Sequence, residues 1–231
     1  MCAAIEPVSS NVSPVAARTR LSPEERRRQL LDLGARLFAE QHYDDVHIEQ
    51  VAELAGVSRG LLYHYFPTKR AFFAELVRRE TRAMMADSNP DPALGVLDQL
   101  RHGIDVYLAN CLANRRGSQA IYQGSASSDP EVLALIEESI RVQEERILNA
   151  LDPGSSHPRL LQITVRSWLV MMRSACHAWL ADPDDGVDAV DLRQMAEHAL
   201  LGALFGLPDA ARPANLAVLI DDAARRDPAD G

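Results

Sequence analysis

The chain contains few of the features that mark secreted or membrane proteins. Only three of its 231 residues are cysteines, Cys2, Cys111 and Cys176, and no two of them form a Cys-x-x-Cys pair. An odd number of scattered thiols indicates a reducing compartment, so we expect a cytoplasmic protein. No apolar run approaches the length of about 18 residues that a membrane helix needs, so we expect no membrane span.

Sequence patterns for catalysis and metal binding are also missing. The chain has no nucleophile–base motif, no glycine-rich phosphate loop and no His-x-x-x-His pair. Cys176, His177 and His198 are the one group to weigh as metal ligands. Adjacent residues on a helix point about 100° apart, which makes Cys176 and His177 an awkward pair of ligands. The sequence therefore predicts no catalytic residue, no metal and no cofactor.

Lysine is almost absent, and the charge is distributed unevenly. Lys69 is the single lysine among 24 basic residues, and the formal net charge is −9. Residues 18–82 carry 12 basic and 10 acidic side chains, whereas the remainder carries 12 and 23. A mildly basic segment attached to an acidic body is typical of a protein in which only that segment approaches nucleic acid.

Residues 47–66 carry the most informative pattern, which predicts two short helices joined by a tight turn. The i, i+3, i+4, i+7 spacing of one buried helical face is met by Ile48, Val51, Ala52 and Ala55. Gly56 follows, and glycine takes the positive φ that a helix C-cap needs. The pattern predicts a helix-turn-helix, although helix–glycine–helix patterns also occur in helical domains that bind no nucleic acid.

The second helix of this motif is expected from Arg59 to Tyr65, with the Ser58 hydroxyl as its N-cap. We expect Leu61 and Leu62 to face the core. The side chains expected to face outward, where a recognition helix contacts base edges, are Arg59, Gly60, Tyr63 and His64. The side chains expected in the core are Phe66, Phe72 and Phe73.

A phosphate contact is expected just beyond this helix. Pro67 ends it, and Thr68 caps the next one. Lys69 then lies in a first helical turn, where free backbone N–H groups also attract phosphate. The hydroxyls of Tyr63 and Tyr65 are further candidates for contacts with phosphates.

These residues resemble the tetracycline-repressor (TetR) family of bacterial transcription regulators. The resemblance runs from about Arg26 to Leu76 and is carried by Leu37-Phe38-Ala39-Glu40, Tyr43, Ile48, Val51-Ala52, Ala55-Gly56-Val57-Ser58, Gly60, Leu62-Tyr63, Tyr65-Phe66, Lys69 and Phe72-Phe73. It implies that Ser58, Arg59 and Leu61 lie near bases and that the tyrosine, the aromatic or histidine after it and the lysine contact the DNA backbone. The full set of predicted DNA-binding residues is His47, Ser58, Arg59, Gly60, Leu61, Tyr63, His64, Tyr65 and Lys69.

Two positions depart from the family pattern. His42 stands where the family usually has glycine, which predicts either a left-handed histidine or a different turn. Val46 and His47 stand where the family favours a threonine or serine cap. Asp44 or Asp45 is expected to replace that cap, because acidic groups stabilise a helix N-terminus.

The remaining pattern is helical throughout and predicts an all-α protein of nine or ten helices in two domains. Residues 1–20 are expected to form a disordered arm, in which Arg18 and Arg20 either reach a minor groove or remain solvated. A three-helix DNA-binding domain is expected at 21–83 and an effector-binding and dimerisation domain at 84–226, followed by a tail at 227–231. Body helices are expected at about 92–114, 119–124, 130–151, 157–180, 187–207 and 213–226, with a break at residues 115–118.

The body is expected to bind a ligand and a second copy of the chain. The resemblance implies a homodimer through helices at about 158–180 and 187–207. Polar or polarisable residues on apolar helical faces are the candidate ligand-binding residues, with ordinary core packing as the alternative: Tyr107, Cys111, Tyr122, Gln123, Trp168, Met171 and Met172. Arg166 and Arg173 share a helical face and are expected at the surface, unless burial gives them an anionic ligand.

Together these patterns predict a sequence-specific transcription regulator, a homodimeric repressor that a small-molecule effector releases from a palindromic double-stranded DNA operator. One alternative is a helical small-molecule-binding protein or enzyme with a vestigial DNA-binding head. Another is a constitutive regulator without an effector, which a packed body without a cavity would favour.

Overall fold

Helices account for all regular secondary structure in the part of the chain that the computed structural model describes, residues 21–122, 126–154, 156–182 and 186–226. The predicted arm at 1–20 and the tail at 227–231 lie outside these ranges. The ten α-helices found there are α1 (Pro23–Glu40), α2 (Glu49–Ala55), α3 (Arg59–Tyr65), α4 (Lys69–Asp87), α5 (Val96–Ala113), α6 (Arg115–Tyr122), α7 (Pro130–Leu151), α8 (Arg159–Ala181), α9 (Ala189–Phe205) and α10 (Leu216–Arg226). Within these ranges, none of the helices has the length and hydropathy to cross a membrane.

Short polar side chains define where most of the N-terminal helices begin. Ser22 and Glu25 form a reciprocal capping box at α1, in which each side chain accepts from the other residue's backbone N–H. The Thr68 hydroxyl accepts from the Ala71 N–H at 3.0 Å and starts α4. Asp129 accepts from the first two N–H groups of α7. The predicted cap Thr68 is therefore confirmed.

The N-terminal helices pack around an aromatic core. Phe66 and Phe72 are fully buried, with ring centroids 4.6 Å apart, and Phe73 is buried as well, as predicted. Gly34 lets α1 approach this cluster, because a Cβ at that position would lie 2.2 Å from the Phe72 ring. Close contact between α1 and α4 thus holds together the N-terminal helices α1–α4, which we call the head.

The body is built around α8, which packs against α5, α6, α7 and α9. Its buried face includes Leu161, Val165 and Leu180. A bidentate ion pair ties α5 to α9: Arg101 Nε and Nη2 each donate to a Glu197 carboxylate oxygen at 2.7 Å. Glu197 is only 4% exposed, so this pair replaces the water that its carboxylate loses on folding.

The prediction of a break at residues 115–118 was wrong, because α6 begins at Arg115. Arg115 Nε and Gln119 Nε2 both donate to the Leu180 carbonyl at 2.8 Å. These side chains satisfy the C-terminal end of α8, which fixes α6 against it despite the glycine at 117. Only Asn114 separates α5 from α6.

Four body helices, α5, α8, α9 and α10, begin later than predicted. α5 starts at Val96 rather than near 92, because Asp91 first closes a turn in which its carboxylate accepts from the Ala93 N–H. α9 starts at Ala189, where Asp188 supplies the cap. α10 starts at Leu216 rather than near 213.

The head and the body share one hydrophobic contact region. The core cluster that contains Leu30, Val51 and Phe72 also takes in side chains from α6, the segment after it and α7, namely Ala120, Ala126 and Val132. Packed side chains therefore connect the body to the head. The boundary at residues 83/84 remains a prediction.

Candidate nucleic-acid interface and ligand cavity

The turn between α2 and α3 has the geometry that its sequence predicts. Gly56 is left-handed, with φ 63° and ψ 38°. The Val57 N–H donates to the Ala52 carbonyl at 2.9 Å, which closes the C-terminus of α2. Ser58 then caps α3, since its hydroxyl accepts from the Leu61 N–H at 3.2 Å. A short, rigid turn thus sets the angle between the two helices.

Helix α3 projects from the head with most of its surface exposed. Leu62 is fully buried and anchors the helix. Leu61 is exposed, so the prediction that it faces the core was wrong. The helix makes fewer than two turns, and its buried side is formed by Leu62 and by Phe66 just after it. Leu61 is exposed because it points about 100° away from that side. The predicted DNA-binding residues that are also exposed are His47, Ser58, Arg59, Gly60, Tyr63 and His64, whereas Tyr65 is half-buried.

Two acidic side chains of α2 hold the outward-facing residues of α3. The Tyr63 hydroxyl donates to the Glu49 carboxylate, which lowers the pKa of Glu49 and raises the pKa of Tyr63. Arg59 Nη2 lies 3.6 Å from a Glu53 carboxylate oxygen, with both side chains largely exposed. Any polyanion that contacts Tyr63 or Arg59 would compete with these carboxylates.

Lys69 lies at the first position of α4, as predicted, and is braced by the segment before α2. Its ammonium donates to the Asp44 carbonyl at 3.1 Å and lies 4.6 Å from the centroid of the Tyr43 ring. Partial burial lowers the pKa of Lys69, although Asp44 and Asp45 oppose this effect. The ammonium is thus positioned beside a helix N-terminus, where phosphates bind.

In the segment between α1 and α2, the structure has the second of the two alternatives predicted for His42, a different turn. His42 is extended, with φ −65° and ψ 146°, so it is not left-handed, and a 3₁₀ turn over Tyr43–Asp45 follows it. Ile48 precedes α2, and its side chain makes no capping hydrogen bond. Asp44 and Asp45 lie in the 3₁₀ turn, and the aspartate cap stays a prediction. The Gln50 side chain accepts from the His47 N–H at 3.3 Å.

The body contains a mostly apolar cavity of about 130 Å³ between α4, α5, α7, α8, α9 and α10. Among the predicted ligand-binding residues, Tyr107, Trp168 and Met172 line it. The Trp168 indole N–H donates to the Ala196 carbonyl at 2.7 Å, which fixes the ring in the wall. No carboxylate is among the described residues of this wall. We call this space the body cavity.

A second space of about 110 Å³ lies between the head and the body. We call it the junction cavity. Ala35 and Phe38 of α1 form one side, and Cys111 and Tyr122 lie on the other side. Four residues line both cavities: Met84, Tyr107, Ser139 and Arg173. These residues therefore stand at the boundary between the two spaces.

A polar group centres on Arg173 at this boundary. The Tyr107 and Tyr122 hydroxyl oxygens are 3.4 Å apart, and the Arg173 guanidinium lies 5.6 Å from the Tyr122 ring centroid. Burial raises the pKa of both tyrosines, Tyr107 the more strongly. A hydrogen bond from Cys176, assisted by Tyr107, lowers the pKa of the buried Cys111 thiol to about 7 and raises that of Cys176.

The other ligand-binding predictions have different outcomes. Met171 packs half-buried against the body core but does not line either cavity. Gln123 lies outside the described residues. Arg166 forms ion pairs with Glu137 and Glu144 of α7, as surface charge does. Arg173 was also predicted at the surface, and that was wrong, because α7 and α5 pack over its part of α8 and leave it half-buried in both cavity walls.

Sequence analysis missed the wall residues that come from α4, α9 and α10. Among these are Met84, Ser88, Leu200, Leu204 and Leu219. Their spacing indicates a buried helical face. A face that lines a cavity and a face that packs in a filled core have the same periodicity of apolar residues. No signal within one sequence distinguishes the two.

A helix-turn-helix head with an exposed second helix, joined to a larger helical body, is the architecture of a DNA-binding protein. The profile described as "Bacterial regulatory proteins, tetR family" matches residues 30–76. The HTH-type transcriptional repressor Rv1474c of Mycobacterium tuberculosis is 31% identical over 127 residues, which are 52% of this chain and 67% of that protein. The HTH-type transcriptional activator FasR of Mycolicibacterium smegmatis is 24% identical over 180 residues, covering 74% and 81%.

The fold agrees with these matches. A tetR-family transcriptional regulator from Streptomyces coelicolor superposes with a TM-score of 0.76 at 24% identity, over 91% of this chain and 93% of that one. This chain therefore belongs to the TetR family of bacterial transcriptional regulators, as its sequence predicted. It is an all-α DNA-binding regulator, and proteins of this family dimerise and bind DNA operators.

Proposed function

We propose that this chain is a homodimeric repressor that binds a two-fold symmetric operator through α3 and leaves it when a small molecule occupies the body. The observation that carries the proposal is the course of α4. This helix begins at Lys69, four residues after the end of α3, and ends in the wall of the body cavity, where Met84 and Ser88 lie. Its 19 residues span about 28 Å.

The proposed DNA contacts divide into two kinds. Arg59, Gly60 and Leu61, in the exposed first turn of α3, approach base edges, and Ser58 lies beside them. Tyr63 and Lys69 contact phosphates, and these contacts set affinity without selecting sequence. The remaining proposed contacts come from His47, His64 and Tyr65. Because the head is only mildly basic, we expect binding to require two heads acting together.

Uncharged exposed stripes on α8 and α9 support the proposed dimer. After the exposed Arg159 at its start, α8 has uncharged exposed residues that recur every three or four positions: Leu160, Ile163, Ser167, Val170, Ser174 and Ala178. On α9 the corresponding stripe is Met195, His198, Gly202 and Phe205, with Phe205 62% exposed. Apolar helix faces of this size need a partner surface. A second copy, related by a two-fold axis, supplies the same stripes.

The coupling between effector and DNA runs through α4. A ligand that displaces Met84 or Ser88 moves the C-terminal end of α4, and Lys69 and the α3 packing follow at the other end. In a dimer the two α3 helices must lie about 34–36 Å apart to enter successive major grooves. A small rotation of each α4 breaks this spacing. The coupling free energy for such a shift is typically ~1–3 kcal/mol.

The two cavities argue against a constitutive regulator without an effector, because a fully packed body would favour that alternative. The vestigial-head alternative predicts a protein that binds its ligand equally well with and without DNA. These alternatives separate in one experiment, in which operator affinity and ligand affinity are each measured with the other partner present and absent. Reciprocal weakening supports the proposed function, and independence of the two affinities would refute ligand release.

The dimer surface has its own test. Val170, 51% exposed at the centre of the α8 stripe, is replaced in Val170→Asp. Leu133→Asp is the matched control, because Leu133 is 48% exposed on α7, outside both stripes. Analytical ultracentrifugation should show a monomer for Val170→Asp and a dimer for the control. A dimer in both variants would show that the α8 stripe is not the interface.

A further inference from the structure

Within the described ranges, Arg173 is a half-buried cation without a carboxylate counter-ion. No carboxylate within the described ranges forms an ion pair with it, and none of its N–H groups is used in a hydrogen bond to a described residue. Its guanidinium instead lies over the Tyr122 ring. Arg166, two turns earlier on the same helix, has two carboxylate partners. A partly desolvated charge that lacks a partner is costly, so the free state of Arg173 favours an incoming anion.

The groups around Arg173 supply hydrogen-bond donors in excess of acceptors. The guanidinium has five N–H donors and no acceptor. The Tyr107 and Tyr122 hydroxyls lie beside it and share one hydrogen bond, and Tyr107 also hydrogen-bonds the Cys111 and Cys176 thiols. The Ser139 hydroxyl donates to the Ile136 carbonyl at 3.0 Å and keeps only acceptor capacity. A ligand group that accepts at several atoms and donates none fits this arrangement, and a carboxylate is such a group.

The other charged groups in the two walls already have partners. Arg146 of the body cavity donates to the Met85 carbonyl at 3.1 Å and to Asn89 Oδ1 at 3.3 Å, at the end of α4. Glu80 of the junction cavity accepts from Arg79 at 3.2 Å. Arg173 is therefore the one cation in these walls, within the described residues, that has no such partner.

The size of the body cavity limits the ligand's apolar part. Its volume of about 130 Å³ is close to that of an engineered apolar cavity of ~150 Å³ that takes up benzene. Leu97, Ile104, Leu200 and Leu204 form apolar parts of its wall. A nucleotide-sized group or a second anionic group has neither space nor a partner there.

We propose that this site binds a monocarboxylate with an apolar body of about six to ten carbons. The carboxylate lies on the Arg173 guanidinium, beside the Tyr107 and Tyr122 hydroxyls, and the apolar body lies against Trp168 and Met172 in the body cavity. This inference rests on the proposed function, since it names the chemical class of the effector of the same site.

The test measures binding of octanoate, octanamide and octylamine to the full-length chain by isothermal titration calorimetry. The three probes share one carbon chain and differ in charge. Octanoate should bind about 10- to 100-fold more tightly than octanamide, because charge-assisted hydrogen bonds replace neutral ones. Lengthening the acid from hexanoate to octanoate should tighten binding about fourfold per methylene until the cavity is full. Equal affinity for octanoate and octanamide would overturn the proposal.

Substitutions assign the effect to Arg173. Arg173→Met should remove the preference for octanoate over octanamide, and Arg166→Met, the matched change two turns away, should retain it. Arg173→Lys keeps the charge and should keep part of the preference. Tyr107→Phe keeps the side-chain volume and should weaken the binding of octanoate but not that of octanamide. This variant decides the test if Arg173→Met fails to fold. An unchanged preference in Arg173→Met, or in Tyr107→Phe if Arg173→Met is unfolded, would overturn the assignment.

Operator binding is measured separately, so that the two proposals fail in distinguishable ways. Octanoate that binds through Arg173 and weakens operator affinity supports both. Octanoate that binds through Arg173 without affecting operator affinity supports the ligand class and refutes ligand release. A chain that binds its operator but distinguishes none of the three probes refutes the ligand class and leaves the regulator intact.

Discussion

Replacement of Lys69 by alanine tests the proposed phosphate contact through the salt dependence of DNA binding. Each phosphate contact contributes about 0.9 to the slope of log K against log salt for duplex DNA. A dimer places two copies of Lys69 on the operator, so Lys69→Ala should reduce the slope by about 1.8. Between 50 and 200 mM salt, the wild-type affinity should therefore fall about tenfold more than that of the variant.

The same substitution also removes contacts within the head. Lys69 donates to the Asp44 carbonyl and lies over the Tyr43 ring. Because both contacts are partly exposed, their loss should lower the free energy of unfolding by only about 1 kcal/mol. A thermal melt of Lys69→Ala measures that loss. DNA binding must then be compared well below the melting temperature of the variant.

The assay is fluorescence anisotropy of a labelled operator duplex at several KCl concentrations. Lys69→Arg should keep the wild-type slope, because the charge is kept. Arg225→Ala removes the same charge far from the head, where Arg225 pairs with Asp221, and should also keep the slope. An unchanged slope in Lys69→Ala would refute the phosphate contact. Lys69 would then have only a structural role within the head.

Two further predictions concern stability and are checked by chemical denaturation. Gly34→Ala should destabilise the head by about 1–3 kcal/mol, because the new Cβ would overlap a buried ring. Gly103→Ala, with no atom within 4 Å of its Cβ, should be neutral or stabilising. Equal effects of the two substitutions would show that α1 and α4 are not in close contact. Arg101→Ala should cost about 3 kcal/mol, since it leaves the Glu197 carboxylate buried without a partner. Arg193→Ala, which breaks a more exposed pair, should cost less than about 1 kcal/mol, and a similar loss in both variants would contradict this reasoning.

Local chemistry made much of the head predictable from sequence. The turn at position 56 requires a residue that tolerates positive φ, and glycine meets that requirement. Ser58 and Thr68 cap helices through their own hydroxyls. Such signals act over a few residues and do not depend on the rest of the fold. Leu61 was mispredicted because a helix of seven residues buries so narrow a face that neighbouring leucines have opposite environments.

Tertiary contacts decided the features that the sequence did not predict. Arg166 and Arg173 share a helical face, yet α7 provides carboxylates for Arg166 and none for Arg173. The start of α6 at Arg115 depends on carbonyl groups of α8 that are 65 residues away. The cavity walls draw on six helices, and no periodicity within one helix reports a space between several.

The most direct test of the regulator proposed here is selection of bound sequences from a pool of random DNA duplexes, followed by sequencing. The full-length chain should enrich a two-fold symmetric site whose half-sites lie about one helical turn apart, and the double variant Arg59→Ala, Tyr63→Phe should enrich none. Failure of the wild-type chain to enrich any sequence at moderate salt would contradict the account and favour a ligand-binding protein with a vestigial head.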